Sequence, residues 1–244
     1  LTGVTQSVVL LEKTVKRSRE RQLRWNRGII ISSLQFFCEG VFYIRLPKIT
    51  AITRRRRIIF MNVKLNDGSV MQLPEGTTVA GVAGAISEGL KRNAVAGKVN
   101  GHLVDLSHPV REDSEVSVIT LKDPEGLDIY RHTCAHVLAQ ALKHIYPTCS
   151  LAIGPTIDNG FYYDVDFKTP ITQDDLVKVE EEMKKIIKGN FPIERFELSR
   201  EDALKLMAKY KEPYKVELIN YLPEGSVISF YKQGDFTDLC RGPH

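Results

Sequence analysis

The sequence predicts an α+β protein whose larger half is built on a mostly antiparallel sheet. Three observations predict it. Short alternating runs are separated by Asp67-Gly68 and Asn100-Gly101 turns between residues 61 and 121. A long stretch with helical periodicity follows at residues 127–146, and alternating strands punctuated by charged helices continue to Cys240.

Residues 1–60 stand apart. They hold ten Arg, three Lys and three Glu, a net +10, against −6 for residues 61–244. The basic run KTVKRSRERQLRWNRG is a candidate helix, and the apolar residues after it are patchy. This extension is expected to be disordered or non-native, an upstream stretch before Met61. A transit peptide and a basic nucleic-acid arm are the other readings of an Arg-rich, acid-poor segment.

From Met61 each element has a local cause. MNVKLN alternates, with Val63 and Leu65 on one face, and SVMQL returns after the Asp-Gly turn. Thr77 or Thr78 can cap a helix whose stripe is Val79, Val82, Ala83, Ile86 and Leu90. AVAGKVNGHLVDL and SEVSVITL complete a small sheet. Two strands, a helix and further strands within about sixty residues predict a ubiquitin-like β-grasp domain over 61–122. Asp123 to Gly126 has the composition of a linker.

The second domain is expected over 127–244. SLAIGPTIDNGFYYDVDF reads as strand, turn, strand. Thr172 and Asp175 have capping-box spacing before a charged helix to residue 189. FPIERFEL is a strand, and Ser199 with Asp202 opens a helix to Tyr210. YKVELINYL and SVISFYKQGDFTDLC read as strands around a Pro223-Glu224-Gly225 turn.

No apolar run is long enough to cross a bilayer. The four cysteines, Cys38, Cys134, Cys149 and Cys240, lack C-x-x-C spacing, which reads as reduced thiols in a cytosolic chain.

Two separated pairs carry the chemistry. His132 and His136 are four apart on the long helix, so both imidazoles face one side; Cys240 and His244 repeat the spacing at the other end. A single H-x-x-x-H occurs often by chance, whereas two such pairs inform because only folding can bring them together. Imidazole and thiolate can close a tetrahedral zinc shell, or the same groups can position a water for general-base chemistry. Cys134 reads as a small core residue, His102, His108 and His144 as surface residues, and the Lys184, Lys185 and Lys188 cluster as a solvated face.

The segments HTCAHVLAQALK, IGPTIDNGFYYD, PYKVELI and DLCRGPH, in this order, resemble the N-terminal half of bacterial-type threonyl-tRNA synthetases. Residues 61–121 resemble their TGS domain and residues 128–244 their editing (SAD) domain, itself related to alanyl-type editing domains; residues 1–60 do not match. The resemblance implies proofreading: hydrolysis of the ester that joins serine to the 3' end of tRNA(Thr). It implies that His132, His136, Cys240 and His244 form the pocket, that Lys215 is the catalytic lysine, and that Tyr231 and Asp238 bind substrate. Zinc at the four-residue cluster is left open, since alanyl-type relatives bind it there while the threonyl-type site is expected to work without metal. The family's aminoacylation core, with its ATP and Mg and most of its homodimer contacts, is expected beyond this sequence, so the chain reads as a cytoplasmic fragment. A free-standing trans-editing deacylase and a non-catalytic tRNA- or partner-binding TGS module are the alternatives.

Overall fold

The computed structural model describes residues 5–11 and 58–244. The helix expected in the basic stretch, and Cys38, lie outside the described residues. The first described element was not anticipated from the sequence: β1 (Thr5–Leu11) pairs antiparallel along its full length with β9 (Gly160–Asp166).

Residues 59–121 form a five-stranded sheet. Its strands are β2 (Phe60–Lys64), β3 (Val70–Pro74), β4 (Ala94–Val99), β5 (His102–Val104) and β6 (Ser114–Thr120), in the order β3-β2-β6-β4-β5. The β2–β6 pair is parallel and the other pairs are antiparallel. Alternation in β2 sends Met61 and Val63 inward, where they pack with Val79, Val82, Val110 and Val116. The expected single helix is two: α1 (Val79–Ile86) and α2 (Glu88–Asn93). Ser87 breaks the run, adopting an extended backbone and accepting from the Leu90 N–H, so it ends one helix and caps the next. Ile86, assigned to the stripe, is 41% exposed for that reason.

The expected linker is instead the start of α3 (Pro124–Ile145). Asp123 is its N-cap residue and Pro124 fills the first turn, where a missing N–H is harmless. The Asp123 carboxylate accepts from the Thr120 N–H at 2.7 Å and its hydroxyl at 2.9 Å, which turns the chain directly from β6 into the helix. Gly126 lies so close to the Thr120 carbonyl that a Cβ would sit 1.9 Å from that oxygen. Val95, Ala96 and Ile119 of the sheet share a core with Ile129 of α3, and Lys98 pairs with Glu125 at 2.7 Å. The two halves therefore meet through packed apolar side chains.

In the second half, short strands β7 (Ser150–Leu151) and β8 (Thr156–Ile157) flank β9, all antiparallel. Only two residues of the expected SLAIG strand pair. α4 (Gln173–Gly189) begins with the expected Thr172–Asp175 capping box and packs on α3. β10 (Ile193–Leu198), β11 (Ile228–Gln233) and β12 (Phe236–Leu239) make an antiparallel sheet covered by α5 (Arg200–Tyr210) and α6 (Pro213–Tyr221).

α6 corrects the strand expected over residues 214–222. Its Val, Ile and Tyr favour strands, but Pro213 starts a helix and Lys215 and Ile219, four apart, are both buried. Arg200 then satisfies the end of the helix, donating to the carbonyls of Ile219, Leu222 and Pro223. Because a helix carries it, Lys215 points inward from a fixed turn.

Candidate active site

α3 carries His132 and His136 on its inner face, and the chain leaving β12 carries Cys240 and His244. The structure brings the four together: their ligating atoms all lie within 4.8 Å of one another. His132 Nε2 is 3.2 Å and His244 Nε2 3.3 Å from Cys240 Sγ. The three imidazole centroids are 4.1–5.1 Å apart. The Gly242 N–H donates to the same sulfur at 3.3 Å.

Hydrogen bonding assigns the His244 tautomer. The Thr133 hydroxyl donates its proton to the Ile129 carbonyl at 3.0 Å, so it is left to accept from His244 Nδ1–H at 3.3 Å. Nε2 of His244 then carries its lone pair toward the sulfur. Burial sets the charge state: it holds His132 below the ordinary histidine range and His136 and His244 far below it. Burial likewise pushes the Cys240 thiol up to about 12, with the Asp238 carboxylate adding to the effect. Without a cation the cluster is three neutral imidazoles and a thiol.

Directly beside it lies a buried charged group. Lys215, 3% exposed, places Nζ 2.8 Å from Asp238 Oδ1 and donates to the Tyr163 hydroxyl at 3.1 Å. That hydroxyl donates to Asp238 Oδ2 at 2.7 Å. Asp238 Oδ2 is also 3.9 Å from His136 Nε2, which joins the two groups. Burial, then the Asp238 charge, raises the Tyr163 hydroxyl well above its ordinary value, so it stays a donor. Both Asp238 oxygens are engaged, so Asp238 serves first as the counter-ion of Lys215. Tyr231 donates to Asp105 Oδ2 at 2.8 Å, and its ring edge meets the His244 ring at 4.4 Å.

A cavity of about 380 Å³ opens next to His132, lined also by Leu103, Ile129, Gly154, Pro155 and Gly242. Of the four cluster residues, His132 lines it.

The donor set fits zinc. Three imidazole nitrogens and a thiol are the ligand types of tetrahedral zinc sites, the widest separation of 4.8 Å would have to close for all four to reach one ion at about 2.0–2.3 Å, and Thr133 supplies the outer hydrogen bond that fixes a ligating imidazole. Among the described residues Cys134, Cys149 and Cys240 form no disulfide; Cys134 is buried, as read from the sequence, and burial lifts the Cys149 thiol to about 11. His102 and His108 are exposed.

Three participants were missed in the sequence. Tyr163 had a signal: alternation in GFYYDVD sends Phe161, Tyr163 and Val165 inward, and a buried phenol needs a partner. Thr133 and Asp105 had none, since nothing local distinguishes them from other helix and turn residues.

The TGS domain profile matches residues 61–120. The chain is 56% identical over 184 residues to the threonine–tRNA ligase of Acetivibrio thermocellus and 54% identical over 184 residues to that of Clostridioides difficile. Each alignment covers 75% of this chain and 29% of the relative, so the chain spans under a third of the curated relatives' length. Among the described residues, no helix is long and apolar enough to cross a membrane.

Proposed function

From the similarity of three-quarters of this chain to threonine–tRNA ligases, we propose that residues 127–244 form a proofreading centre that hydrolyses Ser-tRNA(Thr). In this reading residues 61–122 are a TGS domain that helps engage the tRNA acceptor end, and the whole protein is a cytoplasmic threonine–tRNA ligase that acts as a homodimer and uses ATP and Mg elsewhere. The observation that carries the proposal is the meeting of His132, His136, Cys240 and His244 within 4.8 Å of one another, beside the buried Lys215–Asp238 pair.

The need for such a site follows from substrate size. Serine lacks one methyl group of threonine, and a pocket that admits threonine gains only about 1–3 kcal/mol against serine, roughly 10–200-fold. A second, tighter pocket reverses the selection.

Ester hydrolysis needs a positioned water, a proton acceptor and a donor for the developing oxyanion. A neutral imidazole of the cluster accepts the proton of the attacking water. The Lys215 ammonium, oriented by Asp238 and Tyr163, faces the ester oxygens as donor and fixed positive charge. The water oxygen bonds to the seryl carbonyl carbon, the bond from that carbon to the ribose oxygen of the terminal adenosine breaks, and the imidazole returns its proton so that the ribose leaves as a hydroxyl and the serine as a carboxylate. A zinc ion held by His132, His136, Cys240 and His244 would supply Lewis acidity at an ester oxygen if one coordination position opened to substrate. Catalysis without metal uses the same residues directly.

The test is deacylation of purified Ser-tRNA(Thr) and Thr-tRNA(Thr) by this chain. Preferential release of serine is expected; equal, spontaneous lifetimes for both esters with and without protein overturn the proposal.

A further inference from the structure

At the cluster a carboxylate from one half of the chain holds residues of the other. Asp105 lies in the turn after β5, on the β-grasp side. Its Oδ1 accepts the His244 N–H at 2.8 Å and its Oδ2 accepts the Tyr231 hydroxyl at 2.8 Å. Residues 240–244 belong to no helix or strand, so the backbone that presents His244 must be held by such contacts. The side-chain contacts of His244, with Thr133 and Cys240 at 3.3 Å each, are made by the ring and not by the backbone. Gly242 folds closely around Tyr231: at φ +67°, a Cβ there would lie 1.7 Å from the tyrosine oxygen. Tyr231, Gly242 and His244 thus form one packed unit, pinned from the other half of the chain.

The anchor is itself built in. The Asp105 carbonyl accepts from His108 N–H at 3.0 Å, the neighbouring Leu106 carbonyl accepts from Ala80 N–H of α1 at 2.9 Å, and Thr78 bridges to Pro109. A carboxylate suits the position because it accepts two hydrogen bonds on separate oxygens at once.

We propose that Asp105 is a positioning residue of the active site: it sets His244 in register with His132, His136 and Cys240, so that the TGS domain completes the pocket. This rests on the deacylase reading for its activity readout, but the geometric claim has its own measurement.

The experiment compares wild type with Asp105→Ala, Asp105→Asn, Asp105→Glu and Asp113→Ala. Asp113 is the control: it also ties down its own half of the chain, accepting from Asn62 at 2.7 and 3.0 Å, but it does not touch the cluster. Two readouts are taken: single-turnover deacylation of Ser-tRNA(Thr) across substrate concentration, and imidazole ¹H–¹⁵N spectra. Asp105→Ala is expected to lower the maximal rate constant about 10–100-fold, the range typical of outer-shell partners, with little change in half-saturating concentration, and to shift the His244 ring signals. Asp105→Asn, whose amide oxygen still accepts from His244 N–H while its NH₂ donates to the Tyr231 oxygen, should recover to within about threefold. Asp105→Glu keeps charge and both acceptors but moves them by one methylene; it should lose rate, and it serves if the alanine variant does not fold. Wild-type rates and ring signals in Asp105→Ala or Asp105→Glu overturn the proposal, as does an equal loss in Asp113→Ala. If the wild-type chain hydrolyses no Ser-tRNA(Thr), the deacylase reading falls and the His244 ring signals alone decide the positioning claim.

Discussion

His132 and His136 sit on the same helix as His144, yet the fold drives them in opposite directions. The first two face the buried cluster, where desolvation holds them neutral. His144 lies about two turns further on, where burial also lowers it, but hydrogen bonds to Glu182 at 2.9 Å and Asp235 at 3.1 Å outweigh that and raise it. One helix therefore presents a site that excludes charge at one end and a surface ion pair at the other. The difference teaches that a histidine's role is set by what the helix packs against. Helical spacing alone places all three within the same twenty-two residues.

The largest expected effect tests the charged group beside the neutral one. Lys215→Ala should reduce Ser-tRNA(Thr) deacylation about 10²–10³-fold, as for loss of an oxyanion donor. It should also destabilise the fold by about 3–5 kcal/mol, because Asp238 is left buried without its cation. The double variant Lys215→Met with Asp238→Asn should regain part of that stability in a denaturant melt while remaining inactive; a double variant with restored activity would detach Lys215 from the chemistry.

His132→Ala opens the neutral end. Deacylation should fall about 10²–10⁴-fold, the usual worth of a general acid or base. Elemental analysis of the purified protein sharpens the point: near-stoichiometric zinc in wild type that disappears in His132→Ala assigns the cluster as a metal site, and equal zinc-free preparations assign it to direct imidazole catalysis.

Thr133→Val removes the acceptor that fixes the His244 tautomer. A loss of about 10-fold in the deacylation rate is expected, with an unchanged melt. A wild-type rate would show that the Cys240 and Asp105 contacts suffice to hold the ring.

His144→Gln should have the smallest effect and should leave deacylation unchanged. Because the folded protein raises this histidine's pKa, the contribution is complete below the unfolded value near 6.5 and is lost as pH rises through the folded value. The groups facing it are Glu182 and Asp235, with Lys185 paired to Glu182 and Gln140 bonded to Asp235. The gap in melting temperature between wild type and variant should thus be widest at pH 5 and close by pH 8. A gap that grows with pH would contradict the assignment.

Much of this architecture was legible residue by residue. Period-two alternation gave Met61 and Val63 their inward face, Asn100-Gly101 marked its turn, and the Thr172–Asp175 box started α4 where it was expected. The misreadings share a cause. Pro213 to Tyr221 carries strand-favouring residues, but the buried face it needs is helical and Arg200, distant in sequence, satisfies its end. Asp123 to Gly126 looks like a linker until Thr120 and the shared core around Ile129 turn it into a cap.

By itself the sequence determined the elements and the two candidate ligand pairs, since periodicity, turn chemistry and i,i+4 spacing act over a few residues. Tertiary structure alone decided that His132 and Cys240, 108 positions apart, stand 3.2 Å from each other. It alone decided that Lys215 finds Asp238 and Tyr163, and that Asp105 reaches across from the other half to hold His244. Those outcomes depend on which surfaces exclude water together, and desolvation of a histidine, a thiol or an ion pair is a property of the assembled interior that no local stretch of chain carries.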